Sequence, residues 1–258
     1  MDEHFIQKVE NIWISIPNLD FDDILFHPPE KRGRLAKESF EVFVDRVLTL
    51  LDSSKIQSFQ LHYLATDSCC PLENLEALNI SVLTLQSLTI TDIGVDKFEI
   101  NAPGLVSLHY DDCKERDYSL GNLSEAAEAY IDVYTDLCLV KQSSGNGQYL
   151  CRLLRGVSSA RVLSLSYNTI KRLDLTGWVW GVNLPKCLTV NLKTVEIRGF
   201  GGVPVELEVV EYFLKNAKAL KKFTIIPSCQ LTDPEKQMEL EMNCRSFPEC
   251  LGVIIAIS

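Results

Sequence analysis

The chain has 258 residues, of which 46% are hydrophobic and 23% are charged, a composition typical of a folded globular protein. This length is enough to bury a sizeable core. The formal net charge is −10, which disfavours a basic nucleic-acid-binding protein. No apolar run approaches the roughly 20 residues that a membrane-spanning helix requires, so we expect no nucleic-acid partner and no membrane contact.

The first ten residues, MDEHFIQKVE, are acidic and mixed, unlike a secretory signal peptide. The nine cysteines contain no CxxC pair. An odd cysteine count without a secretory signal is typical of reduced intracellular proteins, and we expect localisation in the cytoplasm or the nucleus. His109 and Cys113 could share a metal, but no second ligand pair lies near them in the sequence, so we expect no metal site.

Two features precede the regular part of the sequence. Asp20, Asp22 and Asp23 form a close group of carboxylates, for which an exposed acidic loop is the favoured interpretation over a functional cluster. Residues 35–51 then place apolar side chains at helical spacing, which predicts an amphipathic helix packed under the first strand of the core.

A short phrase recurs along the chain: an apolar residue, two variable residues, an apolar residue, one variable residue and a final apolar residue. Its last positions alternate as a half-buried strand requires. Between residues 78 and 108 the phrase returns every ten residues, so two copies make a coil of about twenty, at the short end of leucine-rich-repeat periods. A β-rich domain with accidental similarity is the alternative. The copies begin at Ile56, Leu75, Leu85, Val95, Leu105, Ala160, Ile170, Leu192 and Leu220.

Strands of this kind bury their apolar side by stacking edge to edge in a parallel sheet. The sequence therefore predicts an α/β fold, an irregular leucine-rich-repeat solenoid with a parallel sheet on one side that the C-terminal region continues. Helices are expected over residues 148–157, 205–219 and 233–245, the last beginning with an Asp-Pro cap. The closing apolar run, Val253 to Ile257, predicts a final strand.

Polar residues between the apolar strand positions should line one open surface. Their mixed charge and few aromatic residues favour protein contact over a phosphate groove. The predicted surface includes Gln60, His62, Asn79, Thr89, His109, Asp111, Glu196 and Arg198. Our candidate contact residues within it are His62, His109, Asp111, Glu196 and Arg198.

Motifs for catalysis and cofactor binding are incomplete. The segment from Gly199 to Pro204 resembles a dinucleotide-binding loop, but Pro204 stands at the third glycine position and no acidic residue follows where one is needed. No GxSxG motif occurs, and all four histidines precede residue 110. We expect neither an enzyme nor a bound cofactor.

Several segments resemble a plant family, the F-box/leucine-rich-repeat/FBD proteins. Residues 11–22 are similar to the segment that follows the F-box, and residues 43–56 and 101–108 are also similar to that family. The most specific resemblance is to the FBD region, over residues 191–248. By this resemblance residues 1–30 are the C-terminal remnant of an F-box and a linker, 31–180 are the leucine-rich-repeat region and 181–258 are the FBD region.

The resemblance implies a domain that recognises a protein target, which in the family an F-box delivers to a cullin-RING ubiquitin ligase through a Skp-type adaptor. Here Lys8 to Trp13 resembles only the tail of an F-box, with Val9 where the family usually has tryptophan. We therefore expect a non-catalytic target-recognition module that does not bind the adaptor tightly. The alternative is a working substrate receptor whose F-box is missing only from this gene model. The sequence does not identify the target.

Overall fold

The structure is a computed structural model. It describes residues 16–22, 25, 40, 42–44, 47, 55–62, 77–91, 97–112, 117–120, 123, 127–134, 148–175, 190–228, 238, 242 and 254–257.

Twelve strands and three helices have defined bounds in these residues. The strands are β1 (Asn18–Asp22), β2 (Ser58–His62), β3 (Ala77–Ser81), β4 (Ser87–Thr91), β5 (Lys97–Asn101), β6 (Ser107–Asp112), β7 (Asp117–Leu120), β8 (Glu128–Val133), β9 (Val162–Ser166), β10 (Thr194–Phe200), β11 (Lys222–Pro227) and β12 (Ile254–Ile257). The helices are α1 (Gln148–Gly156), α2 (Tyr167–Leu175) and α3 (Pro204–Asn216).

The strands form two parallel sheets, which confirms the α/β class with a parallel sheet. Nine strands pair in the order β1-β2-β4-β6-β8-β9-β10-β11-β12, and β3-β5-β7 form a second sheet of three. Consecutive ten-residue phrases therefore enter different sheets, and one coil of about twenty residues contains a strand from each. The expectation of a sheet on one side only is wrong for residues 77–120, because every second phrase builds the smaller sheet.

A repeated hydrogen-bond pattern between neighbouring strands sets the strand starts from β2 to β11 in the nine-stranded sheet. The carbonyl oxygen of Gln57 accepts hydrogen bonds from the backbone N–H groups of Gln86 at 2.7 Å and Ser87 at 2.9 Å. The same doubled arrangement recurs at the carbonyl oxygens of Pro17, Gln86, Val106, Ala127, Arg161 and Lys193. The accepting residue advances by 20 positions from Gln86 to Val106 but by 34 from Ala127 to Arg161. The same hydrogen-bond pattern therefore aligns strands across connections of unequal length.

The core lies behind the nine-stranded sheet and is one continuous cluster. The second and fourth residues of its strands from β1 to β11 point into it. On the fourth position, the buried residues in register are Phe21, Leu61, Ile90, Tyr110, Ile131, Leu165, Ile197 and Ile225. Phe98 of β5 stacks on Tyr110 of β6 with ring centroids 6.2 Å apart, so the two sheets pack against each other. The buried Tyr110 hydroxyl donates to Asp112 at 3.0 Å.

The structure confirms several elements predicted from hydrophobic spacing. Helix α1 covers the predicted 148–157 segment, α3 covers most of 205–219, and β12 lies in the closing apolar run. Phe40, residues 42–44 and Val47 are helical, as expected for 35–51, and Met238 and Met242 are helical, as expected for 233–245. The remaining residues of those two segments lie outside the described residues.

The phrase beginning at Ile170 is not a strand, contrary to the sequence prediction, because helix α2 occupies this segment. Strand β9 ends at Ser166, whose hydroxyl oxygen accepts a hydrogen bond from the backbone N–H of Thr169 at 3.1 Å. This is the hydrogen bond of a helix N-cap, a local signal that outweighs the apolar spacing of the phrase.

The aspartates near the start of the chain lie on strand β1 and not in a loop. Leu19 and Phe21 are buried, and Asp20 and Asp22 alternate with them toward the opposite side. The carboxylates are thus part of the regular sheet face, whereas Asp23 lies outside the described residues. The sequence analysis also missed β7, because Glu115 stands where the phrase would open, and β8, whose phrase from Ala126 to Ile131 has small alanines at two of its three apolar positions.

Thr169 of α2 completes the backbone hydrogen bonding of β8. Its Oγ1 accepts from the backbone N–H of Val133 at 2.8 Å and donates to the carbonyl of Ile131 at 3.1 Å. Thr169 is fully buried, so the hydroxyl replaces water that cannot reach these groups. It thereby ties the helix to the strand that carries the centre of the polar face.

The Thr169→Val substitution keeps the volume of the side chain but removes the hydroxyl. The N–H of Val133 then loses this buried acceptor, and we expect the free energy of unfolding to fall by about 1–3 kcal/mol. Urea unfolding followed by circular dichroism measures it. The control is Thr194→Val, at a half-buried position of the sheet face, which should change stability by less than about 0.5 kcal/mol. Equal effects of the two substitutions would contradict the assigned role.

The glycine-rich turn between β10 and α3 is closed by a carboxylate of the chain itself. Gly199 and Gly202 have φ angles of 75° and 80°, a region that favours glycine. The N–H of Gly201 lies 3.0 Å from each carboxylate oxygen of the buried Glu206 and donates to both. The N–H of Val203 donates to Oε2 of the same carboxylate at 2.9 Å. Burial raises the pKa of Glu206, and these hydrogen bonds oppose the rise. The backbone donors that a phosphate would need are already used.

Replacing Glu206 by alanine should remove the charged acceptor of those backbone donors and leave a space where its buried side chain packs. We expect the Glu206→Ala variant to lose about 2–3 kcal/mol of unfolding free energy, since hydrogen bonds to a charged group are among the stronger ones. The matched variant Glu208→Ala removes an exposed carboxylate two residues further along helix α3. Its free energy of unfolding should fall by less than about 0.5 kcal/mol. Thermal and urea unfolding of both variants make the comparison, and a loss no greater for Glu206→Ala would refute it.

Candidate functional site

The candidate contact residues all lie on the polar face of the nine-stranded sheet. His62, His109, Asp111 and Glu196 are half-buried, and the Arg198 side chain is 52% exposed. Parallel register places the third residues of adjacent strands side by side and does the same for the fifth. The third residues from β6 to β10 are His109, Tyr130, Ser164 and Glu196, and the fifth residues are Asp111, Asp132, Ser166 and Arg198.

Asn79 does not belong to this surface. It lies on β3 in the smaller sheet, because the phrase that contains it is one of the alternate copies that enter that sheet. His62 lies on β2, which β4 separates from β6. Its effect on His109 is electrostatic.

Tyr130 is the centre of the face. The His109 ring stacks on it with centroids 4.2 Å apart and planes 19° apart. The Arg198 guanidinium lies 5.3 Å from the Tyr130 ring centroid, within the range of a cation–π contact. Arg198 comes from β10, two strands away, and the small Ser164 on the strand between them leaves room for its side chain. Glu196 holds Arg198 from the same strand, with Oε1 2.6 Å from Nε.

Asp132 connects this cluster to the start of helix α2. Its Oδ1 accepts from the Ser166 hydroxyl at 2.5 Å and from Nδ2 of Asn168 at 3.5 Å. Its Oδ2 accepts from the Tyr130 hydroxyl at 3.4 Å. The Tyr130 hydroxyl is therefore restrained from the helix side while its ring is covered by His109 and Arg198.

The electrostatics of the cluster keep both rings uncharged at neutral pH. Burial, followed by the charges of Asp132 and Asp111, raises the pKa of Tyr130 to about 12, against an opposing effect of Arg198. Burial, followed by the charges of Arg198 and His62, lowers the pKa of His109, against an opposing effect of Asp132. The cluster is thus a set of neutral aromatic rings bordered by fixed charges, suited to stacking and hydrogen bonding.

Sequence reasoning missed Tyr130 and Asp132, the two residues that join the others. The available signal was the alternation of β8, where Ala129, Ile131 and Val133 are buried and the residues between them are not. In the described part of the chain, no group of three or more His, Cys, Asp or Glu side chains is placed to hold a metal ion. No helix among the described residues is long and apolar enough to cross a bilayer.

The Tyr130 phenol should titrate well above an ordinary tyrosine. The absorbance difference at alkaline pH between wild type and Tyr130→Phe isolates its ionisation, and we expect a midpoint near the pKa of about 12 rather than 10.0. Because the folded pKa is the higher one, the stability that this group contributes is complete below pH 10 and is lost as the pH rises toward 12.

Arg198→Gln supplies the control for this titration. The positive charge of Arg198 lowers the pKa of Tyr130, so removing that charge should move the titration midpoint of Tyr130 to a higher pH. A midpoint near 10 in the wild type, or a downward shift in Arg198→Gln, would show that the ring is not held as described.

Comparison with known proteins matches one part of the chain to a family model. Residues 182–225, which include β10, α3 and most of β11, match the family model described as FBD. This part of the chain is therefore similar to the FBD region, as the resemblance indicated, and the chain is similar to several plant F-box and FBD proteins. No solved structure matches this chain.

Three relatives from Arabidopsis thaliana show the extent of the similarity. The chain is 34% identical to a putative F-box/FBD/LRR-repeat protein over 87 residues, covering 33% of this chain and 19% of that protein. It is 34% identical to a putative F-box/LRR-repeat protein over 150 residues, covering 50% and 32%. It is 28% identical to a probable FBD-associated F-box protein over 207 residues, covering 70% and 58%. The chain thus spans less than two thirds of the length of each.

Proposed function

We propose that the chain is a non-catalytic target-recognition module that binds another protein through the polar face of its nine-stranded sheet. In this proposal the sheet is a leucine-rich-repeat-type solenoid that the FBD region continues. The observation that carries the proposal is the cluster around Tyr130, which brings His109, Glu196 and Arg198 together. The relatives with F-box, FBD and LRR-repeat in their names support the interaction role.

The physical case rests on rigidity and composition. Strand residues with stacked rings and paired charges lose little conformational freedom when a partner binds. Tyrosine and arginine are also enriched among the residues that dominate protein interfaces. Three carboxylates, Asp111, Asp132 and Glu196, and the cation Arg198 border the rings, and this mixed charge favours a protein partner over a nucleic acid. We propose an intracellular location, in the cytoplasm or nucleus, in keeping with the cysteine content.

The function of the cluster is testable by comparing capture from a plant extract. We expect proteins retained by the wild type to be lost with His109→Ala/Arg198→Ala, with affinity for the captured protein at least about tenfold weaker, because interface residues of this kind dominate binding. The matched control is Asn79→Ala/Glu99→Ala, which removes two exposed side chains from the smaller sheet. Unaltered binding by the folded His109→Ala/Arg198→Ala variant, or equal loss in the control, would contradict the proposal.

The second candidate function is that of a substrate receptor for an SCF-type ubiquitin ligase, which the word F-box in the relatives' names favours. Our proposal assigns the sheet face to the target and no described residue to a Skp-type adaptor. Calorimetric titration of the 258-residue chain with such an adaptor separates the two functions. Sub-micromolar binding would support the receptor, and the lack of measurable heat would support a module that recognises targets without the adaptor.

A further inference from the structure

A row of three cations runs along one edge of the nine-stranded sheet. Arg161, Lys193 and Lys221 each directly precede β9, β10 and β11, and all three are exposed. The N–H of Lys193 donates to the carbonyl of Arg161 at 2.8 Å, and the N–H of Lys221 donates to that of Lys193 at 2.8 Å. Adjacent strands are about 4.8 Å apart, so these charges emerge from backbone positions within about 10 Å. We name these three residues the basic strip.

The hydrogen-bond pattern at the strand starts does not require a cation. The equivalent residues before β2, β4, β6 and β8 accept the same doubled backbone hydrogen bonds and are all uncharged: Gln57, Gln86, Val106 and Ala127. The positive charge begins at β9 and continues through the next two strands. The positive charge is therefore a property of this part of the sheet and not of the repeated hydrogen-bond pattern.

Among the described residues, no acidic side chain forms an ion pair with the basic strip. The nearest acidic position in the register is Glu128, which lies opposite Val162 and forms no ion pair with Arg161. Lys218 and Lys222 are exposed beside Lys221 and add to the positive charge. Like charges on neighbouring strands repel and destabilise a sheet. These cations are nevertheless concentrated in one place on a chain whose net charge is −10.

We propose that the basic strip binds an acidic segment of a partner protein, in an extended conformation that crosses β9, β10 and β11. An extended chain advances about 3.3–3.6 Å per residue, so three residues match the length of the strip and a short run of Asp or Glu can meet all three cations. The strip lies at the strand starts, whereas the Tyr130 cluster lies at the third and fifth residues of its strands. The two surfaces are thus separate contacts.

The size of the strip favours a short acidic peptide over nucleic acid. A nucleic acid presents phosphates over a much longer distance than three strands, and the net charge of −10 repels such a polyanion. A short acidic segment needs only the local potential of the strip.

The test uses the full chain and a fluorescent hexaglutamate peptide, with a hexaglutamine peptide as the neutral probe. We expect fluorescence anisotropy to show binding of hexaglutamate only, and the affinity to fall between about 50 and 200 mM NaCl because exposed charges are screened. The Arg161→Gln/Lys193→Gln/Lys221→Gln variant should bind at least about tenfold more weakly. Its melting temperature should stay close to that of the wild type, because the three side chains are exposed and make no ion pair among the described residues.

The matched control is Lys97→Gln/Lys171→Gln/Lys215→Gln, which removes the same charge from exposed positions elsewhere. It should keep the affinity within about twofold of the wild type if binding is local to the strip. Equal weakening in both variants, or no binding of hexaglutamate by the folded wild type, would overturn the proposal. Tighter binding of a single-stranded or duplex oligonucleotide through the same three residues would also overturn it and assign the strip to nucleic acid.

Discussion

The structure depends on one hydrogen-bonding arrangement, the carbonyl oxygen that accepts two N–H groups from the start of the next strand. It recurs from Pro17 to Lys193 and satisfies the backbone donors that would otherwise be left at each strand entrance. Because this pattern aligns the strand starts, the second and fourth residues of the strands from β1 to β11 in the nine-stranded sheet fall into the same buried columns. The first, third and fifth then form a polar face whose side chains meet across strands.

The cluster on that face shows how register creates a site that no single segment encodes. His109, Tyr130 and Arg198 come from three strands, and Arg198 reaches Tyr130 across a strand that offers only Ser164. The buried Thr169 and the Ser166–Asp132 hydrogen bond connect the same place to helix α2. A change in helix position would therefore act directly on Asp132 and on the hydroxyl of Tyr130.

Much of the fold could be predicted because period-two burial leaves a strong trace in the sequence. The phrases at Ile56 and Leu105 become β2 and β6, and the spacing over 205–219 becomes α3. The phrase at Ile170 misled because apolar spacing alone does not register the cap at Ser166. The site was only half predictable: alternation shows which side chains face outward, but the sheet a strand joins, which separates Asn79 from His109, depends on long-range pairing.

The unequal connections between strands have an evolutionary consequence. Successive strand starts are separated by 20 residues in one place and by 34 in another, yet their backbone contacts are the same. Insertions in these connections leave the register of the polar face unchanged as long as the apolar residue two positions before each strand stays buried. The entropic cost of a longer connection is small, because the cost of closing a loop grows slowly with its length. Proteins with this arrangement can therefore differ in the length of their connections while they keep the register of the polar face.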